Sequence, residues 1–501
     1  MNSDTTSSVL PSLTAEYLSR HDVQVDNLFS KAWQRIGFNR LLKQARFSKR
    51  SGSPVSDVVY LLLLWVWLKA DSIAMFSRES LQSFSITKRD ALYDLLNRED
   101  LDWRKLHLQT AKTVISMTDH STIRAYVVDD SVKTRRGKTM PGISSHFDHL
   151  NGRCVMGQQI LTLGLATEKQ FIPLDSELYI SRVKAQPLTK AFADGRSIVA
   201  KRYRDAQSMS KPEMIHRMIK RAARSDIHAQ YFLADSWFAS KSILAFMDAQ
   251  SLVSIVRMKK NKTRYRTMDN TSALATAAEL YQHHIKGQWQ KIKGRPYQSK
   301  AITVELNLAK SIKEPDHWIK VKLLFVRGVN EEKQRAGKHD WALFLSTDTH
   351  LSDERILEIY ALRWGIEVYF KEAKQKLGFL KEQSTHYSAY IASIHLTALR
   401  FCLLLLTQHE EGAARLSDSR NDMINSLCTL DFASRLWVIF RALISGALDE
   451  LSKLYGVSAA QEIMNQIDKT VQEFFMQVMQ MDTFTLRLCL SSVINPIPMR
   501  S

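Results

Sequence analysis

Three strand-like runs in close succession constrain this chain more than any other feature: "AYVVDD" at 125–130, "CVMGQQILTLGLAT" at 154–167 and "KQFIPLDSELYI" at 169–180. Turn signals such as "LNGR" separate them, which predicts an antiparallel meander. A helical, basic stretch from Lys184 to Ala223 is expected next. It leads into "YFLADSWFAS" at 231–240, an apolar strand ending on a carboxylate, with a helix starting near Ser240. Two strands therefore end in acids, Asp129 or Asp130 in one and Asp235 in the other. Strands mixed with helices place the chain in the α/β class.

A third acid lies in "YALRWGIEVYFKEAKQKLGF", residues 360–379. At about 100° per residue, Tyr360, Arg363, Glu367 and Lys374 fall within roughly 60° of one another on a helix, forming one polar stripe. Leu362, Ile366, Tyr369, Ala373 and Leu377 form the neighbouring apolar stripe that docks on a core. By spacing alone, the polar stripe is either a solvated face with an Arg363–Glu367 i,i+4 pair or a site.

Charge narrows the choice. The 501 residues, too many for one core, carry 70 Lys and Arg against 51 Asp and Glu, a formal +19. The last 101 residues hold 8 basic and 11 acidic side chains, a net −3, which leaves +22 for residues 1–400. Such an excess points to a polyanion. The longest apolar run, "VVYLLLLWVWL" at 58–68, is too short to span a bilayer and is expected to be a buried helix, so no membrane partner is expected. The N-terminal "MNSDTTSSVLPSL" lacks the pattern of a secretion signal, and a cytoplasmic location is expected, at the nucleoid when the protein is on DNA. Cys154, Cys402, Cys428 and Cys489 have no paired spacing for zinc or disulfides.

Acids brought together from separate segments repel unless a cation neutralises them, and oxygen-only donors favour Mg²⁺ or Mn²⁺ over zinc. Paired ions of this kind serve phosphoryl transfer. The residues also carry a resemblance. Tyr360, Arg363, Glu367 and Lys374 match without a gap the signature Tyr, two residues, Arg, three residues, Glu, six residues, Lys of the DDE transposases of insertion sequence family four. With "VVDDS", "TLGLATEKQFIPLD" and "FLADSWF", the chain resembles that family over roughly residues 120–405. The resemblance implies a ribonuclease-H-like catalytic core. Asp129, Asp235 and Glu367 would be its catalytic residues and the ligands of two Mg²⁺ (or Mn²⁺) ions, while Tyr360, Arg363 and Lys374 would hold phosphates of the transposon end. Asp129 suits the family pattern of two apolar residues, the acid, a variable residue and Ser or Thr. Asp130 is the alternative, and the two point to opposite faces of the strand.

Asp235 and Glu367 are separated by 131 residues, far more than one crossover needs. "RMKKNKTRYR" at 257–266 and the strand-like runs "KAITVEL", "HWIKVKLLFV" and "DWALFLSTD" read as a β-rich insertion. Its basic edge, Lys259, Lys260, Lys262 and Arg264, is a DNA track or a solvated charge run. Family members stack a flipped base on an insertion tryptophan. Trp289, Trp318 and Trp341 are the candidates, with Trp318 taken as the DNA-binding one.

The expected organisation is a helical N-terminal DNA-binding region at 1–120, a catalytic core at 121–256 and 346–405, the insertion at 257–345 and a helical C-terminal region at 406–501. In the last, Ile467, Val471, Phe474 and Val478, flanked by Met464, Phe475 and Met479, follow 4-3-4 spacing that either buries against the core or pairs two protomers. Other lookalikes fail: "GKT" at 137–139 lacks the upstream glycine of a phosphate loop, "HFDH" at 146–149 reads as a turn with surface histidines, and Ser131 and Ser236 lack a partner histidine. The reading is a cut-and-paste transposase acting on double-stranded DNA, both terminal inverted repeats and target, as a homodimer on DNA. A nuclease that does not join strands and a domesticated, non-catalytic DNA-binding protein are the alternatives.

Overall fold

The computed structural model describes residues 28–68, 70–85, 87–137, 139–148, 152–180, 187–268, 273–284, 289–309, 313–328, 341–455 and 460–477. The chain divides into two units, one formed by Met1–Asp102, Lys376–Glu382 and Cys402–Ser501, the other by Trp103–Gln375 and Gln383–Phe401.

The first unit begins with α1 (Leu28–Ile36), α2 (Phe38–Gln44), α3 (Val55–Leu64), α4 (Ile73–Glu79), α5 (Leu81–Phe84) and α6 (Arg89–Asn97). As expected, the apolar run at 58–68 is buried. Val58 through Leu64 have no exposed surface, and a 3₁₀ turn, Trp65–Leu68, continues the helix. A helix apolar on every side belongs inside a bundle. Tyr60 meets the Phe29 and Trp33 rings of α1 edge-on, with centroids 5.0 and 5.2 Å away.

In the second unit, α7 (Trp103–Thr118) packs on β4, so this unit starts at 103, not 121. The predicted meander is present as β1 (Arg124–Thr134), β2 (Ser144–Asp148), β3 (Arg153–Thr167) and β4 (Phe171–Tyr179). Residues 146–148 of the "HFDH" run are thus strand, not turn. His146 Nε2 lies 2.9 Å from Ser144 Oγ and 3.2 Å from the Gly157 carbonyl, and His149 lies outside the described residues. The expected helical stretch from Lys184 begins later, as α8 (Ile198–Ser208) and α9 (Lys211–Arg224). Residues 184–186 lie outside the described residues. Ser197 caps α8 by accepting from the Ala200 N–H, and Glu213 accepts from the Ser210 N–H, so each helix has its own start. Then come β5 (Tyr231–Ala234), α10 (Lys241–Ala249), β6 (Val253–Arg257), β7 (Arg264–Thr267), β8 (Leu274–Thr276), the short α11 (Ala277–Glu279), β9 (Gln290–Lys291), β10 (Tyr297–Asn307), β11 (Trp318–Gly328) and β12 (Trp341–Ser346). Helices α12 (Asp353–Ala361), α13 (Trp364–Gln375) and α14 (Tyr387–Glu410) follow.

One twelve-stranded sheet runs β2-β3-β1-β5-β6-β12-β11-β10-β7-β8, with β4 also on β3 and β9 on β10. β1, β5 and β6 are parallel, and β3 is antiparallel between β1 and β4. The β-rich stretch after 257 does not stand apart. β12 pairs with β6, so its strands continue the sheet. Helix α13 lies on β1 and β4. Gly365 permits the approach, since a Cβ there would meet Phe171 Cβ at 2.7 Å. Tyr369 then packs between Phe171 and Phe401, at 5.8 and 5.0 Å. Helix α14 is long and apolar enough to cross a membrane, yet the apolar part is wholly buried, as in the core helix of a globular protein.

The first unit resumes with α15 (Leu416–Tyr455) and α16 (Ala460–Gln477). Helix α15 packs on α1 and α5, which puts the N- and C-terminal helices in one unit. Ile467 and Val471 of the 4-3-4 row are half-buried, and Met464, which flanks the row, is buried. Val478, Met479 and the side chains of Phe474 and Phe475 lie outside the described residues.

Candidate active site

Strand register brings the first two acids together. β1 and β5 run parallel with Val128 beside Ala234, so Asp129 and Asp235 leave neighbouring strands, about 4.8 Å apart, at the same level. Burial above all raises the Asp129 carboxyl to about 7. The Asp130 backbone N–H, which donates to Asp129 Oδ1 at 2.8 Å, opposes the shift, Asp235 adds to it, Arg363 opposes it and Asp130 adds a little more. Asp130 emerges on the other face and pairs with Lys211 Nζ of α9 at 2.5 Å.

The third acid arrives on a broken helix. The expected continuous helix over 360–379 ends at Ala361 and restarts at Trp364, because N–H groups 362, 363, 365 and 366 donate to carbonyls three residues back. Tyr360 closes α12, Arg363 occupies the turn, and Glu367 and Lys374 lie on α13. The apolar stripe is as expected, with Ile366, Tyr369, Ala373 and Leu377 buried and Leu362 half-buried.

Arg363 joins these parts. One of its nitrogens donates to Asp129 Oδ2 at 3.2 Å and the other to Glu367 Oε1. Its guanidinium carbon lies 5.8 Å from the Tyr360 ring centre. Tyr360, edge-on to Phe344 at 4.8 Å, has its phenol pKa raised, chiefly by burial, with Arg363 and Arg257 opposing and Asp235 adding. The Lys374 ammonium, on the solvent side of α13, is lowered by the protein around it and by Lys133, while Asp129 pulls it the other way. All six predicted residues, Asp129, Asp235, Tyr360, Arg363, Glu367 and Lys374, thus meet at one end of the parallel strands. Among the described residues no three His, Cys, Asp or Glu stand close enough to hold a metal ion, and the Arg363 fork lies between Asp129 and Glu367.

The predicted DNA track is spread out. Lys262, Arg264 and Trp318 line a shallow groove of about 650 Å³ with Lys241, Asn261 and Asn307. The Trp318 ring is covered by Arg266 at 3.5 Å, and its N–H donates to Asp316 at 3.1 Å. Lys260 instead lies 4.0 Å over Trp341, itself buried and stacked on Tyr281 at 4.7 Å, and Arg327 lies 4.1 Å over Trp289. Lys259 faces Trp237. Sequence reasoning missed Lys133, Lys211, Trp237 and Arg257. The exposed Trp237 in "FLADSWF" was the one visible signal, an indole two residues past an acid.

Residues 68–314 match the DDE superfamily endonucleases. The match supports a DDE transposase-type family and, with it, a DNA substrate. The mixed sheet with helical flanks is consistent with a DDE nuclease domain. The matched stretch holds Asp129 and Asp235 and stops short of Tyr360, Arg363, Glu367 and Lys374, which the fold brings beside it. No curated protein matches the chain.

Proposed function

We propose that the protein is a cut-and-paste DNA transposase resembling insertion sequence family four, with Asp129, Asp235 and Glu367 as its acid triad on a ribonuclease-H-like core. One observation carries the reading: the two strand-end acids, which lie in the DDE-matched stretch, meet the Tyr-Arg-Glu-Lys set, which lies beyond it, in a single cluster. The strand order β4-β3-β1-β5-β6, antiparallel only at β3, supports the core assignment.

In donor type the three carboxylates fit Mg²⁺ or Mn²⁺, since all are oxygen ligands, and a bound cation would offset the burial and the facing Asp235 that raise the Asp129 carboxyl. Two ions held by Asp129, Asp235 and Glu367 would supply charge neutralisation at the attacking and leaving oxygens. Arg363 must first release the carboxylates, and a DNA phosphate offers its planar fork a stronger anionic partner. Lys374 adds a point charge and Tyr360 a phenol on the same nucleotide. Asp130, held by Lys211, stays on the opposite face.

The reaction is a nick at the transposon end, attack of the freed 3′-hydroxyl on the opposite strand to give a hairpin, hairpin hydrolysis, and attack on target DNA. Each chain carries one triad, so two chains act on two ends. On α15, Phe432, Leu436, Ile439, Leu443 and Leu454 are exposed and lie within roughly 60° on the helix, an apolar stripe suited to a second protomer. The basic residues 1–400, including the helical N-terminal region and the track at Lys259, Lys260, Lys262 and Arg264, meet DNA, in the cytoplasm at the nucleoid. Labelled duplexes carrying the inverted repeats that flank the gene, incubated with protein and Mg²⁺, test this. Joined products support transposition, cleavage without joining gives a nuclease, and binding alone gives a non-catalytic protein.

A further inference from the structure

The ladder between β1 and β5 ends at Val128 and Ala234, one residue short of both acids. From Asp129 onward β1 pairs with β3, while the chain after Ala234 leaves β5 in a turn. In that turn Asp235 Oδ1 accepts from the Trp237 N–H at 2.8 Å and the Phe238 N–H at 3.4 Å. Asp129 Oδ1 likewise accepts from the Asp130 N–H that follows it. Each acid is thus fixed to its own segment, and no strand pairing fixes one segment to the other.

Lys211, the first residue of α9, closes that gap from behind. Its Nζ pairs with Asp130 Oδ2 at 2.5 Å and lies 4.1 Å from the Trp237 ring centre and 4.9 Å from that of Tyr179, the last residue of β4. Asp130 follows Asp129, and Trp237 supplies an N–H that holds Asp235. One ammonium, its side chain only 6% exposed, therefore meets both acid-bearing segments on the face of β1 opposite the acids. Stability does not call for such a group. The dipole opposes a cation in the first turn of a helix, burial strips its hydration, and replacing a buried ion pair by neutral side chains is often harmless or stabilising. What the ammonium does supply is direction, through a charge-assisted hydrogen bond and two ring faces.

We infer that Lys211 is a positioning residue for the acid pair: by clasping Asp130 and the Trp237 indole, it holds the end of β1 and the turn after β5 at the separation that lets Asp129 and Asp235 share metal. The inference rests on the DNA-cleaving function proposed above. Lys211 itself touches neither metal nor DNA in this role, so its loss weakens metal binding and leaves end binding alone. Groups that orient metal ligands from behind contribute about 10–100-fold in metal affinity or activity.

The test uses the full chain and a terminal-repeat duplex, either intact or already ending at the cut so that no cleavage follows. On the ended duplex, Mn²⁺ binding is read by electron paramagnetic resonance. On the intact one, single-turnover cleavage is followed across a Mg²⁺ series. In K211M, Mn²⁺ affinity should fall about tenfold and the Mg²⁺ needed for half-maximal cleavage should rise about tenfold, with end binding and urea midpoint near wild type. Asp130→Asn, whose amide oxygen still accepts from Lys211, should stay near wild type in both metal readouts. Unchanged metal dependence in K211M, or losses matched by an equal loss of end binding or a collapse of the urea midpoint, overturns the inference and leaves cleavage standing. If K211M does not fold, the double variant K211M/D130N, which leaves no carboxylate without its ammonium, carries the same expectations. Failure of both to fold makes Lys211 a stability residue and overturns the inference as well. Wild-type protein that cuts no duplex overturns the DNA-cleaving function and the inference with it.

Discussion

Gly365 sits where α13 crosses β4, and an alanine methyl there would stand 2.7 Å from Phe171 Cβ and 3.3 Å from its Cγ. Unbonded carbons settle at about 3.5–4.0 Å, so the shortfall is about 1 Å. No rotamer relieves it, because a Cβ is fixed to its strand. The helix must lift or the strand must give. Overpacking of this size costs about 1–3 kcal/mol, and replacing a helical glycine by alanine returns about 1 kcal/mol, which leaves a loss of about 0–2 kcal/mol. Function is more sensitive. Glu367 is two residues farther along the same helix, and misplacing a reacting group by about 1 Å can slow a reaction about 100-fold. Gly365→Ala should therefore melt close to wild type yet cleave terminal-repeat duplex in Mg²⁺ about 100-fold more slowly in single turnover. Wild-type cleavage by the variant would refute the claim that the α13–β4 contact sets the position of Glu367.

Two further outcomes are expected. His107 is buried against Pro173 O at 2.9 Å and His395 at 3.1 Å, and burial lowers its pKa to about 4. The fold holds it neutral while the unfolded chain takes a proton near pH 6.5, so its contribution is complete above about 6.5 and drains away as pH falls towards 4. His107→Gln should flatten the fall in urea midpoint over that window, and an unchanged slope would contradict the assignment. Arg363→Ala should weaken end binding and lower the salt slope by about 1, because one phosphate contact is lost. An unchanged slope would make Arg363 an ion-pair partner only.

Much of the site was legible because it depends on local rules. Strand alternation separates Asp129 from Asp130, and helical spacing aligns Glu367 with Lys374 on α13. What could not be read depends on contacts between distant segments. Lys211 lies 81 residues from Asp130, and no periodicity links them. The pairing of β6 with β12 joins Ile255 to Ser346, so a stretch that reads as a separate insertion extends the core sheet instead. The break after Ala361 was hidden because an apolar stripe keeps its phase through a tightened turn. Tryptophan roles failed for a related reason: sequence marks an indole but not whether a guanidinium, as at Trp318, already covers it.

The central claim is that Asp129, Asp235 and Glu367 form one site for divalent metal and DNA. The most direct measurement compares Asp129→Asn, Asp235→Asn, Glu367→Gln and Asp130→Asn for binding and Mg²⁺-dependent cleavage of the same terminal-repeat duplex. The first three should bind as well as or better than wild type, since each removes a negative charge facing phosphate, and should not cut. Asp130→Asn should retain cleavage. Full cleavage by Asp129→Asn, Asp235→Asn or Glu367→Gln, or loss of cleavage confined to Asp130→Asn, would contradict the account.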